Sequence, residues 1–313
     1  EGWHGCSKKL AAAPAQERTV VCMEELVDKY VAFLKGSQGR SANTLMSYRR
    51  DLDQAAAFLQ AQGVGEWSAV DQYQLLALIA EQKRRGRSPA TINRQLSALR
   101  QFYRYLVRHQ QLRFNPMELV DNQQLTEKLP PEILTEPEIK QLLAAPDQAH
   151  ALGKRDRALL AVLATTGMRV SELVDLLVTD LHLDIKMIRL GSGGRRERLV
   201  PISDQAVQEL KHYLSAVRPL LVAEGEQAVF VNAHGHQLTR QGVWKNLRTL
   251  VRQAGIEKAV TPRTLRYSFA VHLLRSGADG RLIQEMLGYS ELRAIKPYLK
   301  MTVQELSADY RQH

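Results

Sequence analysis

The chain has 313 residues, 44% of them hydrophobic, and carries 43 Lys and Arg against 33 Asp and Glu. This length and apolar content allow two domains with separate cores and exclude a disordered or fibrous protein. The longest apolar runs fall far short of the ~20 residues that a membrane span needs, and no signal peptide is predicted. We therefore expect a cytoplasmic protein with no membrane partner, in which residues 1–20 are a flexible lead-in.

The positive charge is shared equally between the two halves of the chain. Residues 1–130 carry 18 Lys and Arg against 13 Asp and Glu, and residues 131–313 carry 25 against 20, so each half has a net charge of +5. A polyanion bound by two domains favours this distribution, because each neutralised phosphate contributes free energy wherever it lies on the protein. Composition alone does not separate a nucleic-acid-binding protein from a basic protein that binds none.

The first part of the chain has the apolar periodicity of four helices, which begin near residues 24, 41, 71 and 88. Gly36 and Gly63 end the first two helices, while Ser88 as N-cap and Pro89 at the next position begin the fourth. These signals predict a compact four-helix domain over residues 21–115.

Basic residues are concentrated on the second and fourth predicted helices and in the loop that precedes the fourth. An ordinary solvated face is one interpretation of this pattern. A basic loop followed at once by the N-terminus of a basic helix favours contact with phosphates instead. The candidate DNA-binding residues are Arg49, Arg50, Lys83, Arg84, Arg85, Arg87, Arg94 and Arg100.

Proline and polar residues over 116–133 indicate a linker, and the second predicted domain spans residues 134–313. A capping box of Thr135 and Glu138 begins its first helix. A short antiparallel sheet is predicted further on, with a glycine-rich loop between its last two strands and helices on either side. The predicted strands are Val178–Leu183, Lys186–Leu190 and Arg198–Ile202.

Four motifs then follow in order. They are the turn Thr166–Leu173 (TGMRVSEL), the predicted hairpin, the helix start Thr261–Ala270 (TPRTLRYSFA), and Leu287–Ser290 (LGYS) with Tyr298 beyond it. In this order and spacing they resemble the tyrosine recombinases of the phage integrase family, specifically the Xer type, over residues from about 24 to 313. The resemblance implies a mainly α fold with a small antiparallel β-sheet. It also implies an N-terminal four-helix, SAM-like core-binding domain and a C-terminal tyrosine-recombinase catalytic domain.

The resemblance implies a reaction that needs neither metal nor nucleotide cofactor. A tyrosine attacks a DNA phosphodiester, forms a 3′-phosphotyrosyl bond and frees a 5′-hydroxyl. A 5′-hydroxyl from the partner strand then attacks the phosphotyrosyl bond and reverses the step. Arg169 and Arg266 are expected to bind the phosphate, since their planar guanidinium groups stay charged and match its oxygens. Tyr298 is the expected nucleophile, with Tyr310 as a competitor, and Glu172 is placed to orient a basic neighbour.

The sequence departs from the family pattern at several positions. Arg263 stands where the family usually has a histidine, and unlike histidine it does not release a proton near neutral pH. Tyr289 stands where the family has histidine or tryptophan. The lysine that the family has in this hairpin, which is expected to protonate the leaving 5′-oxygen, has no clear counterpart here. Arg195 and Arg196 are imperfect substitutes for it as general acid. The expected catalytic set is therefore Arg169, Arg263, Arg266, Tyr289 and Tyr298.

These departures leave the activity open. A slow recombinase is one interpretation, and a DNA-binding or regulatory protein of the same fold that no longer cleaves is the alternative. The expected partner is double-stranded DNA, bound by a homotetramer or heterotetramer that forms from monomers. The segment Val303–His313 is long enough to pass a C-terminal helix to a neighbouring subunit.

Overall fold

A computed structural model describes residues 22–37, 42–124, 132–192 and 197–299. The chain divides between Glu127 and Lys128 into two units, and each has its own cluster of buried apolar side chains. Helices dominate both units, and a small antiparallel sheet lies in the second. The predicted fold class is therefore confirmed.

The N-terminal unit contains the four predicted helices. Their bounds are α1 Met23–Ser37, α2 Ala42–Ala61, α3 Gln72–Arg84 and α4 Pro89–Arg108. Asp71 caps α3 by accepting hydrogen bonds from the backbone of Tyr73 and Gln74, and Ser88 caps α4. Because these short polar side chains satisfy donors that a helix start leaves unpaired, each fixes where its helix begins.

Residues assigned by sequence to the start of the linker pack on the N-terminal unit. A short 3₁₀ helix at Pro116–Leu119 follows α4, and Met117 and Val120 are buried in the core of this unit. Beyond it, Asn93 donates to the carbonyl of Gln123 (2.8 Å) and accepts from its backbone N–H (2.7 Å). Residues 116–123 thus contact the four-helix domain, and the predicted boundary at residue 115 stays a prediction.

Helices surround the core of the C-terminal unit. Their bounds are α5 Glu136–Ala144, α6 Ala151–Thr166, α7 Val170–Val174, α8 Asp204–His212, α9 Arg218–Leu221, α10 Arg240–Gln253, α11 Pro262–Arg275 and α12 Gly280–Leu287, with a single π-turn at Tyr213–Val217 joining α8 to α9. Helix α6 is apolar on most of its surface, from Ala158 to Leu163, which is the pattern of a helix enclosed by others.

Among the described residues the sheet has three antiparallel strands in the order β1 Leu181–His182, β2 Met187–Leu190 and β3 Arg198–Pro201. The predicted first strand, Val178–Leu183, is wrong over its first half, because Val178–Asp180 is a 3₁₀ turn. The Asp180 side chain accepts from the backbone N–H of Leu177 (3.1 Å) and so stabilises a turn in place of a strand ladder.

The predicted flexible lead-in at 1–20 and the C-terminal segment Val303–His313 lie outside the described residues. In the part of the chain that is described, no helix is long and apolar enough to cross a membrane.

Candidate active site

The end of α6 brings two arginines to one place. Gly167 ends this helix with φ +59°, and a Cβ there would lie 2.4 Å from the side chain of Phe269. Glycine is therefore required both by the backbone conformation and by the space. The turn continues into Arg169 at the N-cap of α7, and the Gly167 carbonyl accepts a hydrogen bond from Arg266 of α11 (2.7 Å).

The end of α12 fixes the position of Tyr289. Gly288 has φ +63°, and the backbone N–H of Tyr289 donates back to the carbonyl of Gln284 (3.0 Å). This pairing is the Schellman arrangement that closes many helices on a left-handed glycine. It directs the chain, and the Tyr289 side chain with it, towards α7 and α11.

Three arginines converge on consecutive carbonyls at this helix end, which we call the carbonyl row, Met286–Gly288. Arg198 donates to Met286 (2.8 Å), Arg266 to Leu287 (2.7 Å) and Arg169 to Gly288 (3.1 Å). Carbonyls at a helix C-terminus are unpaired within the helix and carry its partial negative charge. The carbonyl row thus orients the cationic cluster and partly offsets its mutual repulsion.

Glu172 supplies the negative charge inside this cluster. Its two carboxylate oxygens accept from Arg198 at 2.8 and 3.0 Å, and they also accept from the Arg169 side chain (2.9 Å) and backbone N–H (2.7 Å). Burial opposes ionisation, but the hydrogen bonds and positive charges of Arg198 and Arg169 lower the pKa of Glu172. Glu172 thus contacts two arginines that it could orient, and its orienting role stays a prediction.

Two tyrosine hydroxyls meet beside the arginines. The Oη atoms of Tyr289 and Tyr298 are 2.6 Å apart, and Tyr298 is only 1% exposed, with its ring 4.5 Å from that of Tyr267. Burial and the hydrogen bond to Tyr289 raise the pKa of Tyr298. Burial would also raise that of Tyr289, but hydrogen bonding with Tyr298 and Arg266 and the nearby positive charges lower the pKa of Tyr289.

The guanidinium groups lie against tyrosine rings. The Arg266 guanidinium carbon is 4.9 Å from the centre of the Tyr289 ring and that of Arg169 is 5.7 Å away. Arg263 lies over the ring of Tyr267 at 5.1 Å and donates to its hydroxyl (2.9 Å). Such cation–π contacts favour the charged guanidinium beside the ring face.

An open cavity of about 340 Å³ connects these groups, and its walls are Met168, Arg169, Val170, Pro262, Arg263, Arg266, Tyr267 and Tyr289. Four members of the predicted catalytic set therefore share one cavity, and the fifth, Tyr298, is hydrogen-bonded to its Tyr289 wall. Arg195 and Arg196 lie outside the described residues. Among those that are described, no group of three or more His, Cys, Asp or Glu side chains is arranged to hold a metal ion.

Arg198 is the member of the cluster that sequence reasoning did not single out. Its side chain is 11% exposed and binds both Glu172 and the carbonyl row. The sequence signal was a basic residue at the start of a strand, two positions before Val200, which is buried in the core. Residues two apart in a strand lie on the same face of the sheet, so this spacing indicates the buried face for Arg198. After the end of β2, the hydroxyl of Ser192 donates to Asp180 (2.8 Å), and Asp180 also pairs with Arg189 (3.0 Å).

In the N-terminal unit, five of the eight predicted DNA-binding residues have partners within the unit. Arg49 pairs with Asp28 and Asp53, Arg84 and Arg85 pair with Glu81, Arg94 pairs with Asp51, and Arg100 donates to Asn122 and to the carbonyl of Val120. In the described part of this unit, no ion pair or hydrogen bond engages the side chains of the other three, Arg50, Lys83 and Arg87. These three are exposed.

A four-helix domain, followed by a helical domain in which arginines and two tyrosines meet at one cavity, defines the class of tyrosine recombinases. The profile of the Phage integrase family matches residues 132–305, and that of the Phage integrase, N-terminal SAM-like domain matches residues 27–110. The chain belongs to the phage integrase family, as its motifs predicted.

Curated relatives agree with this membership. The chain is similar to Tyrosine recombinase XerD of Lacticaseibacillus casei, with 39% identity over 291 residues that cover 93% of this chain and 98% of the relative. It is also similar to Tyrosine recombinase XerD of Listeria innocua, with 36% identity and the same coverage of both chains.

Solved structures show the same fold. The XerA recombinase crystal structure is 26% identical, with a TM-score of 0.52, over 92% of this chain and 98% of that one. The XerH site-specific recombinase, in a post-cleavage complex with a palindromic difH substrate, has a TM-score of 0.70 at 20% identity, over 92% of this chain and 94% of that one.

Proposed function

We propose that this chain is a site-specific DNA recombinase that exchanges strands through a covalent bond between Tyr298 and a DNA phosphate. The observation that carries the proposal is the convergence of Arg169 and Arg266 with the Tyr289–Tyr298 pair at one cavity. XerD relatives at 36–39% identity over nearly their whole length support the same function.

The two arginines are suited to binding the reacting phosphate. A guanidinium carries five N–H donors. Contacts with Glu172 and the Gly288 carbonyl occupy two of them on Arg169, and Arg266 uses two on the Gly167 and Leu287 carbonyls and also hydrogen-bonds Tyr289. Both side chains line the cavity, so the donors that remain are held beside it. Donors oriented in advance stabilise the charge that develops on phosphate oxygens during attack, and their orientation needs no rearrangement at that moment.

Nucleophilic attack requires Tyr298 to reach the phosphorus atom. Its side chain is enclosed between Tyr267 and Tyr289. We infer that DNA binding shifts residues 292–299, which include the 3₁₀ helix Leu292–Ile295, so that the hydroxyl faces the cavity while it stays beside Tyr289, which lines that cavity. The bond from phosphorus to Tyr298 then forms while the bond to the 5′-oxygen breaks.

A second candidate function is a DNA-binding protein of this fold that no longer cleaves. The observation that favours it is Arg263, which stands in the position where histidine is usual and donates to Tyr267. Without a proton-transferring group at this position, cleavage is slowed or absent. Both functions share the DNA partner, so only detection of the covalent bond separates them.

The proposed assembly is a tetramer on DNA, formed from monomers by identical chains or with a second recombinase. Solved relatives include a lambda integrase dimer on a core site and a lambda integrase tetramer on a Holliday junction. The proposed activity acts on chromosomal or mobile-element DNA, and its proposed location is the cytoplasm.

The test begins with a binding site, obtained by repeated selection of a random duplex pool on the full chain. A nicked version of the selected duplex traps the intermediate, because the short strand released after cleavage diffuses away. We expect a protein–DNA adduct that survives denaturing electrophoresis. Tyr298→Phe should abolish the adduct and leave affinity unchanged. Absence of adduct from the parent chain on a verified site would favour the non-cleaving alternative.

The same substrate tests the arginines. Arg169→Ala and Arg266→Ala should lower adduct formation by at least 100-fold and weaken DNA binding much less, because their main role is in the transition state. Equal losses of binding and cleavage would instead assign both residues to simple phosphate binding.

A further inference from the structure

The short contact between Tyr289 and Tyr298 places a second phenol oxygen against the expected nucleophile. At 2.6 Å between the two Oη atoms, one hydroxyl donates to the other. The direction of this hydrogen bond decides which of the two oxygens holds the proton of Tyr298 when that side chain reacts.

The surroundings of the pair favour Tyr289 as acceptor. Arg169 and Arg266 both face its ring, so negative charge on its oxygen is stabilised. Tyr298 is packed against the ring of Tyr267 and is nearly inaccessible to water, so charge on its oxygen is disfavoured. The lowered pKa of Tyr289 agrees with this asymmetry. These contacts favour Tyr298 as the donor and Tyr289 as the acceptor of the hydrogen bond.

We propose that Tyr289 is a catalytic residue that takes the proton of Tyr298 during cleavage and returns it during religation. This proposal rests on the recombinase function proposed above. It gives the chain a proton acceptor at the site, which Arg263 does not provide because arginine keeps its proton at any pH that a folded protein tolerates.

The Tyr289 phenolate oxygen takes the proton of Tyr298, whose oxygen forms a bond to phosphorus while the bond from phosphorus to the 5′-oxygen breaks and that oxygen takes a proton from water. Tyr289 is then a neutral phenol and holds the proton for the lifetime of the covalent intermediate. In religation the incoming 5′-hydroxyl loses its proton to water, its oxygen attacks phosphorus, and Tyr298 leaves and recovers its proton from Tyr289.

The acid–base part of the proposal is measurable without DNA. Phenolate absorbance near 295 nm, followed in the full chain from pH 7 to 10.5, should show one tyrosine that ionises before the others. The groups that set this step are Arg169, Arg266 and Tyr298 around Tyr289, with Arg263 further out. Tyr289→Phe should remove the early step, and Tyr298→Phe should move it to higher pH because a donor is lost. An early step that persists in Tyr289→Phe would overturn the assignment.

The catalytic part uses single-turnover adduct formation on the nicked selected duplex between pH 6 and 10. The parent rate should rise with pH and level off where Tyr289 ionises. Tyr289→Phe should be at least 100-fold slower at pH 8 and lack this step, because a general base typically contributes ~10²–10⁴. The matched control, Tyr73→Phe, removes an exposed tyrosine hydroxyl from α3 and should keep the parent rate and profile.

Two replacements distinguish a proton acceptor from a packing group. Neutral histidine offers an acceptor nitrogen, whereas the tryptophan ring only donates. Tyr289→His should recover the rate to within about tenfold of the parent, with its pH step lowered towards the ordinary histidine range near 6.5, and Tyr289→Trp should stay as slow as Tyr289→Phe. Restoration by tryptophan, or equal rates in the parent and Tyr289→Phe, would overturn the role of Tyr289 while leaving the recombinase function standing. No adduct from the parent would overturn both.

Discussion

Glu172 offers the sharpest test of how the arginine cluster is held together. In Glu172→Gln the side chain keeps its shape, but its negative charge and one of its two acceptor oxygens are lost. Arg169 and Arg198 then face each other without a counter-ion, in a site where the Glu172 side chain is only 14% exposed. Removing one partner from a buried ion pair typically costs about 3–5 kcal/mol, and the residual exposure favours the lower end, about 3 kcal/mol.

For a domain of this size, that loss lowers the midpoint of thermal unfolding by about 6–12 °C, at 2–4 °C per kcal/mol. Calorimetry on the full chain measures the transition of the C-terminal unit, and hydrogen–deuterium exchange of peptides from α7 and β3 locates the change. Glu291→Gln is the matched control, because its ion pair with Arg293 is exposed and such pairs contribute about 0–1 kcal/mol.

The pH dependence of the effect has a definite sign. The folded-state pKa of Glu172 is lowered, so its contribution is fully present above the unfolded value near 4.3 and is lost as pH falls through the folded value. The gap between the parent and Glu172→Gln should be largest at neutral pH and narrow below about pH 4. A difference under about 1 kcal/mol at pH 7, or one that does not change with pH, would refute the central role of this carboxylate.

A buried glycine, two exposed cations and Arg263 each give a measurable expectation. Gly167→Ala should lower the stability of the C-terminal unit by at least about 2 kcal/mol in denaturant unfolding, because it adds positive-φ strain to a clash with Phe269. Lys83→Gln and Arg87→Gln should each reduce the slope of log affinity against log salt by about 0.9, and an unchanged slope would remove them from the interface. Arg263→His should raise the rate of adduct formation, since histidine exchanges protons near neutral pH. Adduct formation should also persist in EDTA without nucleotide.

The helices and their starts were accessible from sequence because local rules determine them. The periodicity of α1 to α4 gave their positions, and Thr135, Ser88 and Thr261 cap the helices that follow them, as side chains of their type do. The first strand was misjudged because its apolar residues have strand character. Its first half is a turn because the buried Asp180 carboxylate accepts from the Leu177 backbone N–H and is held by Arg189 and Ser192, pairings that the apolar pattern does not indicate.

The members of the candidate site were predicted from motifs, but their arrangement was not. Arg169, Arg266 and Tyr289 lie far apart in sequence, and nothing in the motifs states that helix-end carbonyls hold the arginines. Arg198 was missed for the same reason, since its role depends on Glu172 and on the Met286 carbonyl. The roles of the catalytic set and the domain boundaries remain predictions.

The carbonyl row has a consequence for how this site tolerates mutation. Its acceptors belong to the peptide backbone, so substitution of the side chains at Met286 and Leu287 leaves every acceptor in place and perturbs only packing. A single-residue insertion or deletion in α12 is different in kind, because it turns the helix end by about 100° and redirects all three carbonyls at once. In a deep mutational scan, positions 283–287 should tolerate many apolar substitutions and no change of length.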